Sequence, residues 1–273
     1  MGFQGLPSSF TFSQSSLQDY SDCPRRFQLR YMENFQWPAV ETEPALENEL
    51  HQLEGQLFHR LMQQHYLGIP DEKLSPLAST PNLSRWWENF QNHPPIPNGY
   101  AHNTELTLSA PLGDHFRILA KYDLVAVIYN KEFLVYDWKT YTKRPTDERM
   151  IARWQTRLYR ALLVMAGSRL NNGSPVQPEQ VTMYYWYADH PTEPASFSYS
   201  DTQYDRDCKA LLELMNEIAS TADFPKTDNE KQCTFCIYRS YCERMVSPGS
   251  SDFLETELSE PVIDLEQIQE IAF

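Results

Sequence analysis

Phe133-Leu134-Val135-Tyr136-Asp137-Trp138-Lys139-Thr140 is the stretch on which the reading of this chain turns. Four apolar or aromatic residues follow the tight turn at Asn130-Lys131 and read as a buried strand. The strand ends on an acid and a lysine, and charge near a core is costly unless it is paired. Side chains alternate across a strand, so Asp137 and Lys139 share a face. Asp-x-Lys by itself says little, since it recurs at Asp71/Lys73 and Asp207/Lys209. The copy at Asp137 alone follows another strand bearing an isolated acid, Asp123, and precedes a long helix. Two carboxylates on one sheet face can hold Mg²⁺ or Mn²⁺, and a lysine beside them can orient an attacking water. On the strand pattern alone, a structural salt bridge explains the same residues equally well.

Working outward, Glu105 to Ala110, the turn at Leu112-Gly113-Asp114, and Phe116 to Ile128 make a β-meander with the central strand. Pro145-Thr146 opens a helix with the stripe Met150, Ile151, Trp154, Leu158, Leu162 and Met165, stopped at Gly167. Gln155 and Tyr159 share a face of that helix, where packing is the plainer reading. Val181 to Tyr187 is a further strand, with Phe197 to Tyr199 as its partner, and Asp201 to Ser220 is a helix. Near the start, Ser15-Ser16-Leu17-Gln18 reads as a capping box opening a helix through Tyr31. A second helix runs from about Pro44 to Tyr66 on the stripe Leu46, Leu50, Leu53, Leu57, Leu61 and Met62. It carries Gly55 and His59 on one face. A lone helical histidine is ordinarily a core or surface residue. Residues 70–100, rich in Pro and Asn, read as an insertion. Trp86-Trp87 there fit core packing better than base stacking.

Five cysteines occur, and four have a pattern. Cys23 stands alone, and about two hundred residues later come Cys233, Cys236 and Cys242 in a C-x2-C-x5-C group. Four thiolates close a zinc or an iron–sulfur site and would tie the two ends together. Cys208 reads as an ordinary thiol. The pattern suits a reducing compartment, and the expected location is cytoplasmic. The start has no basic region followed by an apolar run, and no stretch approaches a membrane span. None of the 9 glycines precedes a lysine, so a phosphate-binding loop and an ATP site are excluded. The net charge of −14 argues against a passive nucleic-acid coat. Half of it lies in residues 247–273, an acidic tail with seven acids (Asp252, Glu255, Glu257, Glu260, Asp264, Glu266, Glu270) and no Lys or Arg.

Asp123 with Asp137-Trp138-Lys139-Thr140 resembles the PD-(D/E)xK nuclease motif. Gln155-Thr156-Arg157-Leu158-Tyr159 resembles the Q-x-x-x-Y element of the RecB-like branch, and Gly55-Gln56-Leu57-Phe58-His59 its upstream histidine helix. Cys23-Pro24-Arg25-Arg26-Phe27 with Cys233, Cys236 and Cys242 resembles the iron–sulfur staple of AddB-type and CRISPR-adaptation nucleases. The resemblance runs from about Ser13 to Cys242. It implies an α/β, restriction-endonuclease-like core, a mixed central sheet flanked by helices. A four-cysteine staple would join the N- and C-terminal segments (13–35 and 223–246) in a single domain, 1–246.

It further implies His59, Asp123, Asp137 and the Trp138 carbonyl as Mg²⁺ or Mn²⁺ ligands, and Lys139 as the residue positioning water. Gln155 and Tyr159 would contact substrate or support the site, with Glu105 as an added carboxylate. The cysteines would hold a [4Fe–4S] cluster, zinc being the alternative. Arg25, Arg26 and Arg30 would guide the phosphate backbone. The implied activity is metal-dependent hydrolysis of DNA, exonucleolytic and from a single-stranded end, in repair, recombination or CRISPR spacer processing. A helicase or CRISPR-adaptation partner would accompany it. The rival is a non-catalytic DNA-end-binding or assembly module on the same fold. Two departures concern substrate fit near the cleft: Ala120-Lys121-Tyr122 stands where the family often has Gly-Arg-x, and Tyr141 follows Thr140 where glycine is usual.

Overall fold

The computed structural model describes residues 6, 7, 9–35, 45–234 and 236–244, with the side chains of 45–49 left aside. The acidic tail and Leu46 of the predicted stripe lie outside the described side chains.

Strand β1 (Thr11–Ser13) runs directly into helix α1 (Gln14–Asp22). The capping box is real but sits earlier than predicted. Ser13 Oγ accepts from the Ser16 amide and Ser16 Oγ from the Ser13 amide, at 3.2 and 2.9 Å. The helix also stops sooner than Tyr31. Cys23 takes an extended backbone, and Pro24, which has no N–H to continue the ladder, starts a separate turn. That turn is α2 (Pro24–Phe27), followed by a π-helical turn over Gln28–Met32.

Helix α3 (Ala45–Tyr66) has the predicted extent but buries only the end of the predicted stripe. Leu50, Leu53 and Leu57 are exposed, while Glu54, Phe58, Leu61 and Met62 are buried. Then come α4 (Asp71–Leu74) and α5 (Pro81–Asn92), the latter capped by the Thr80 hydroxyl. Helix α5 is part of a packed layer in which Trp86 and Trp87 are buried, as their packing reading expected.

The meander is β2 (Ala101–Leu112), β3 (Phe116–Ile128) and β4 (Glu132–Lys139). Gly113 turns the first corner at φ +64°, a conformation costly to residues with a Cβ. The predicted single helix after Pro145 is two: α6 (Asp147–Ala152), capped by Thr146, and α7 (Trp154–Ala166), with Arg153 extended between them. Strands β5 (Val181–Tyr187) and β6 (His190–Ser198) and helix α8 (Asp201–Ser220) follow, and beyond them lies a 3-10 turn over Glu230–Cys233.

One mixed six-stranded sheet results. β1 pairs with β3 and β4 with β5 in parallel; the other pairs are antiparallel. One face packs against α7 and α8 through Val125, Val135, Met183, Leu158, Leu162 and Leu211. The other packs against α3 and α5 through Leu124, Leu134, Trp186, Phe58, Met62 and Trp86. The protein is thus mixed α/β, a central sheet flanked by helices. None of its described helices is long and apolar enough to cross a membrane.

Two features of β3 place the site. First, β2 occupies one edge of β3 along its length, while the other edge is divided. β1 pairs with 117–119 and β4 with 124–128, leaving 120–123 between them without a strand. Second, β2 and β3 kink together. Tyr122 and Val125 face the same core, although three residues apart, and Leu124 faces the opposite one. The change of face falls on Asp123, with Glu105 opposite at φ +51° between the pairs Thr104↔Leu124 and Leu106↔Tyr122.

Candidate active site

Asp123 projects at the kink, where β4 separates from β3. The last register pair between those strands is Leu124↔Tyr136. Beyond it the Trp138 amide donates to Asp123 Oδ2 at 2.8 Å, so the carboxylate replaces the missing strand carbonyl. Its Oδ1 lies 3.3 Å from His59 Nδ1 on α3. Helix α3 reaches this close because position 55 is glycine: a Cβ there would stand 3.1 Å from Thr140 Oγ1. His51 Nε2, two turns earlier than His59, bonds the Thr140 carbonyl at 3.0 Å. The Gly55–His59 face therefore rides on the end of β4.

Asp137 and Lys139 point to the opposite face, toward α7. Lys139 Nζ is 2.8 Å from Asp137 Oδ2. Gln155 bridges the two, its Nε2 donating to Asp137 Oδ1 at 2.6 Å and its Oε1 accepting from Lys139 Nζ at 3.2 Å. All three side chains are buried. Tyr159, one turn on, donates through Oη to the Lys121 carbonyl at 2.7 Å, in the stretch of β3 with no strand on that edge. Its own carbonyl accepts from Tyr122 Oη at 2.8 Å. Gln155 thus orients the charged pair, and Tyr159 holds open the split strand that carries Asp123.

The charges are mutually tuned. Burial pushes Asp137 up, to about 6, with Asp123 adding to the rise against the pull of Lys139. Burial also works against ionised Asp123, but His59, the Trp138 amide and Lys139 outweigh it and hold Asp123 below the ordinary carboxylate range. For His59, burial opposes the charge and the two aspartates overcome it, raising it to about 9.

Among the described residues no three His, Cys, Asp or Glu side chains stand close enough to hold a metal ion. The donors nevertheless suit one. Asp137 Oδ2 is buried, with the Lys139 ammonium 2.8 Å away as its charged neighbour. Lys139 and His59 lie against the two carboxylates. Oxygen donors with one imidazole form a hard set, the chemistry of Mg²⁺ or Mn²⁺. Glu105 pairs with Lys121, two residues from Asp123, and not with the buried set.

The sequence did not reveal a hydroxyl and aromatic surround of Lys139. Tyr141 and Tyr185 present their rings to its ammonium at 5.8 and 5.5 Å. Tyr185 Oη lies 2.7 Å from Thr156 Oγ1 and 3.4 Å from Gln155 Oε1. The available signal was the alternation in Val181–Tyr187, but using it required knowing that β5 lies beside β4, with Asp137 opposite Tyr185.

The terminal segments meet some way along the chain from these acids. The Arg25 amide donates to the Pro225 carbonyl at 3.1 Å. Phe27 stacks on Phe224 at 6.0 Å between ring centres, and Tyr238 Oη donates to the Phe35 carbonyl at 2.9 Å. Cys23, Cys233, Cys236 and Cys242 line one small cavity there. Burial pushes the Cys236 thiol up to about 11 and raises Cys233 and Cys242. Cys208 lies apart on α8, packed against the first core. Each of the arginines expected on the phosphate backbone has an acidic partner. Arg26 pairs with Asp19 and Asp22, both at 2.8 Å, Arg30 with Asp19, and Arg25 with Glu33.

A family model, the PD-(D/E)XK nuclease superfamily, matches residues 11–243. No curated protein matches the chain. Among solved structures it is similar to SSO0001, at 13% identity and TM-score 0.43, covering 88% of each chain. It is also similar to a protein of Eubacterium rectale named as a candidate exonuclease. That likeness has 11% identity and TM-score 0.49, covering 94% of this chain and 100% of that one.

Proposed function

Since the chain belongs to the PD-(D/E)XK nuclease superfamily, we propose that it hydrolyses DNA phosphodiester bonds with Mg²⁺ or Mn²⁺, as an exonuclease of the RecB-like branch acting from a single-stranded end. The observation that carries this reading is the buried set Asp137–Gln155–Lys139 beside Asp123, at the point where β3 and β4 part. The order His59, Asp123, Asp137-x-Lys139, Gln155-x3-Tyr159 supports the branch.

His59, Asp123, Asp137 and the Trp138 carbonyl would hold the cation. When bound, it supplies electrostatic stabilisation of charge building on the phosphate oxygens. Lys139 orients the attacking water and balances charge at the phosphorus. Gln155 keeps Lys139 and Asp137 in one geometry, which a buried hydrogen bond between charged groups does strongly. The Trp138 amide fixes one oxygen of Asp123 and leaves the other toward His59. Glu105, paired with Lys121, is a supporting carboxylate at the kink. With no phosphate-binding loop in this chain, strand separation falls to a partner helicase or to a CRISPR-adaptation complex, in repair, recombination or spacer processing.

The four cysteines around one cavity support an AddB-type staple holding a [4Fe–4S] cluster, with zinc as the alternative. Bound, such a centre supplies a covalent closure between the terminal segments. Colour separates the two, since an iron–sulfur protein is brown and a zinc protein colourless.

The test is a degradation assay on the full chain with end-labelled single- and double-stranded DNA, with Mg²⁺ or Mn²⁺, either end blocked in turn. Progressive shortening from the free end is expected. Asp137→Ala and Lys139→Ala are expected to abolish it while DNA binding stays measurable. Binding without cleavage by the unaltered chain under both metals would favour the end-binding module instead.

A further inference from the structure

The cavity between the terminal segments is chemically unlike the rest of this acidic molecule. Beside its four cysteines its wall carries four cations, Arg26, Lys226, Arg239 and Arg244, and no carboxylate. In a chain of net charge −14, a concave surface with four bases and no acid is built for an anion. The bases are held by their own anchors. Arg26 sits between Asp19 and Asp22 with a largely buried side chain, 13% exposed. Lys226 Nζ donates to the Cys242 carbonyl at 2.6 Å. Arg239 donates to the Thr234 carbonyl at 3.2 Å, and Arg244 to Glu230 and the Thr227 carbonyl, both at 2.8 Å. The anchoring acids Asp19, Asp22 and Glu230 are not among the lining residues.

We propose that Arg26 and its basic companions form a charge shell for a dianionic four-thiolate centre, with Arg26 as the positioning residue that sets how tightly the centre is held and how readily it accepts an electron. This rests on the four-cysteine reading above and adds what surrounds the sulfurs. A [4Fe–4S] cluster on four thiolates is a dianion when oxidised and gains a further negative charge on reduction. Net charge and hydrogen bonds near the sulfurs are among the properties that set such potentials. A fixed cation stabilises the reduced form more than the oxidised one and so raises the potential. Arg26 is the base to test because two carboxylates at 2.8 Å hold its largely buried guanidinium.

The experiment compares wild type, Arg26→Gln and Arg26→Lys as full chains, reconstituted anaerobically with iron and sulfide. It reads iron per chain, the rate of iron loss to a chelator, and the midpoint potential followed by visible absorption. Arg26→Gln is expected to shift the potential to more negative values and to lose iron several-fold faster; Arg26→Lys is expected to stay near wild type. A Gln variant with wild-type potential and iron loss overturns the proposal. Should that variant fail to fold because Asp19 and Asp22 each lose an ion pair, Lys226→Gln and Arg239→Gln decide it. Their anchors are backbone carbonyls, and the same shift at smaller size is expected; no shift in either overturns the idea. If the wild type takes up zinc and no iron, the cluster reading fails by itself. The charge shell is then judged by cobalt(II) titration, where Arg26→Gln is expected to bind at least tenfold more weakly, and equal affinity overturns it.

Discussion

Gln155 is the residue on which the site's internal geometry depends. It touches both Asp137 and Lys139 from a buried position on α7. Hydrogen bonds to charged groups contribute about 1.5–3 kcal/mol, roughly one to two powers of ten in rate where they orient a reacting group. Gln155→Leu is therefore expected to lower kcat by about 10- to 100-fold while changing KM little; a large rise in KM with intact kcat would mean that Gln155 meets substrate instead. Tyr159 has a different job. Its hydroxyl satisfies a backbone carbonyl in the gap of β3, so Tyr159→Phe is expected to cost about 1–2 kcal/mol of stability, read as a lower urea midpoint, along with a loss of activity from the loosened strand. The motif order was legible in the sequence at this level, because it needs only spacing. The direction each side chain takes was not. Gln155 and Tyr159 are four apart on one face, yet one serves the charged pair and the other a carbonyl of a different strand.

Paired strands that change face together are the structural device behind the site. If β2 and β3 ran straight, Asp123 would point wholly to one layer; the kink lets it meet His59 from α3 while lying beside the Asp137–Lys139 pair that faces α7. The kink has a cost. Glu105 takes φ +51°, where a residue with a Cβ is disfavoured by roughly 1–2 kcal/mol. Its ion pair with the half-exposed Lys121 offsets little of that. Glu105→Gly is thus expected to raise stability by about 0.5–1 kcal/mol and Glu105→Val to lower it, as measured by denaturant midpoints. If Gly and Val destabilise alike, the carboxylate matters more than the backbone. Such a kink leaves no mark in the alternation pattern, since Leu124–Val127 is apolar throughout and assigns neither face to solvent. Nor could β1 be read, because three residues gain a strand only through non-local pairing with Arg117–Leu119. The leucines of α3 misled for a related reason. Leu50, Leu53 and Leu57 have helical spacing, but the face packed on the sheet is the one carrying Gly55, Phe58 and Met62, so those three leucines turn outward. Where elements are long and their contacts local, as in β2–β4 and α8, sequence and structure agree.

Charge has to be considered over the whole molecule, because the proposed substrate is a polyanion and the protein is itself an anion of −14. Near the N-terminus Arg26 and Arg30 are paired with acids of α1 and Arg25 with Glu33, so they do little to offset that repulsion. Residues 247–273 contribute seven of the fourteen net charges, with no base among them. Removing them leaves a body of −7, and the change in long-range repulsion should be felt most when the screening length is long, about 30 Å at 0.01 M salt against about 8 Å at 0.15 M. Truncation after Val246 is therefore expected to tighten binding to single-stranded DNA several-fold at low salt and hardly at all at physiological salt, with the association rate carrying most of the change. Fluorescence anisotropy across a salt series measures this directly. Two other results are informative. An equal gain at every salt concentration would mean that the tail competes for a specific contact, since a contact that excludes solvent is screened little. No gain anywhere would mean that the acids are too far from the path of the strand to repel it, and the tail would then be a segment for solubility or for docking a partner.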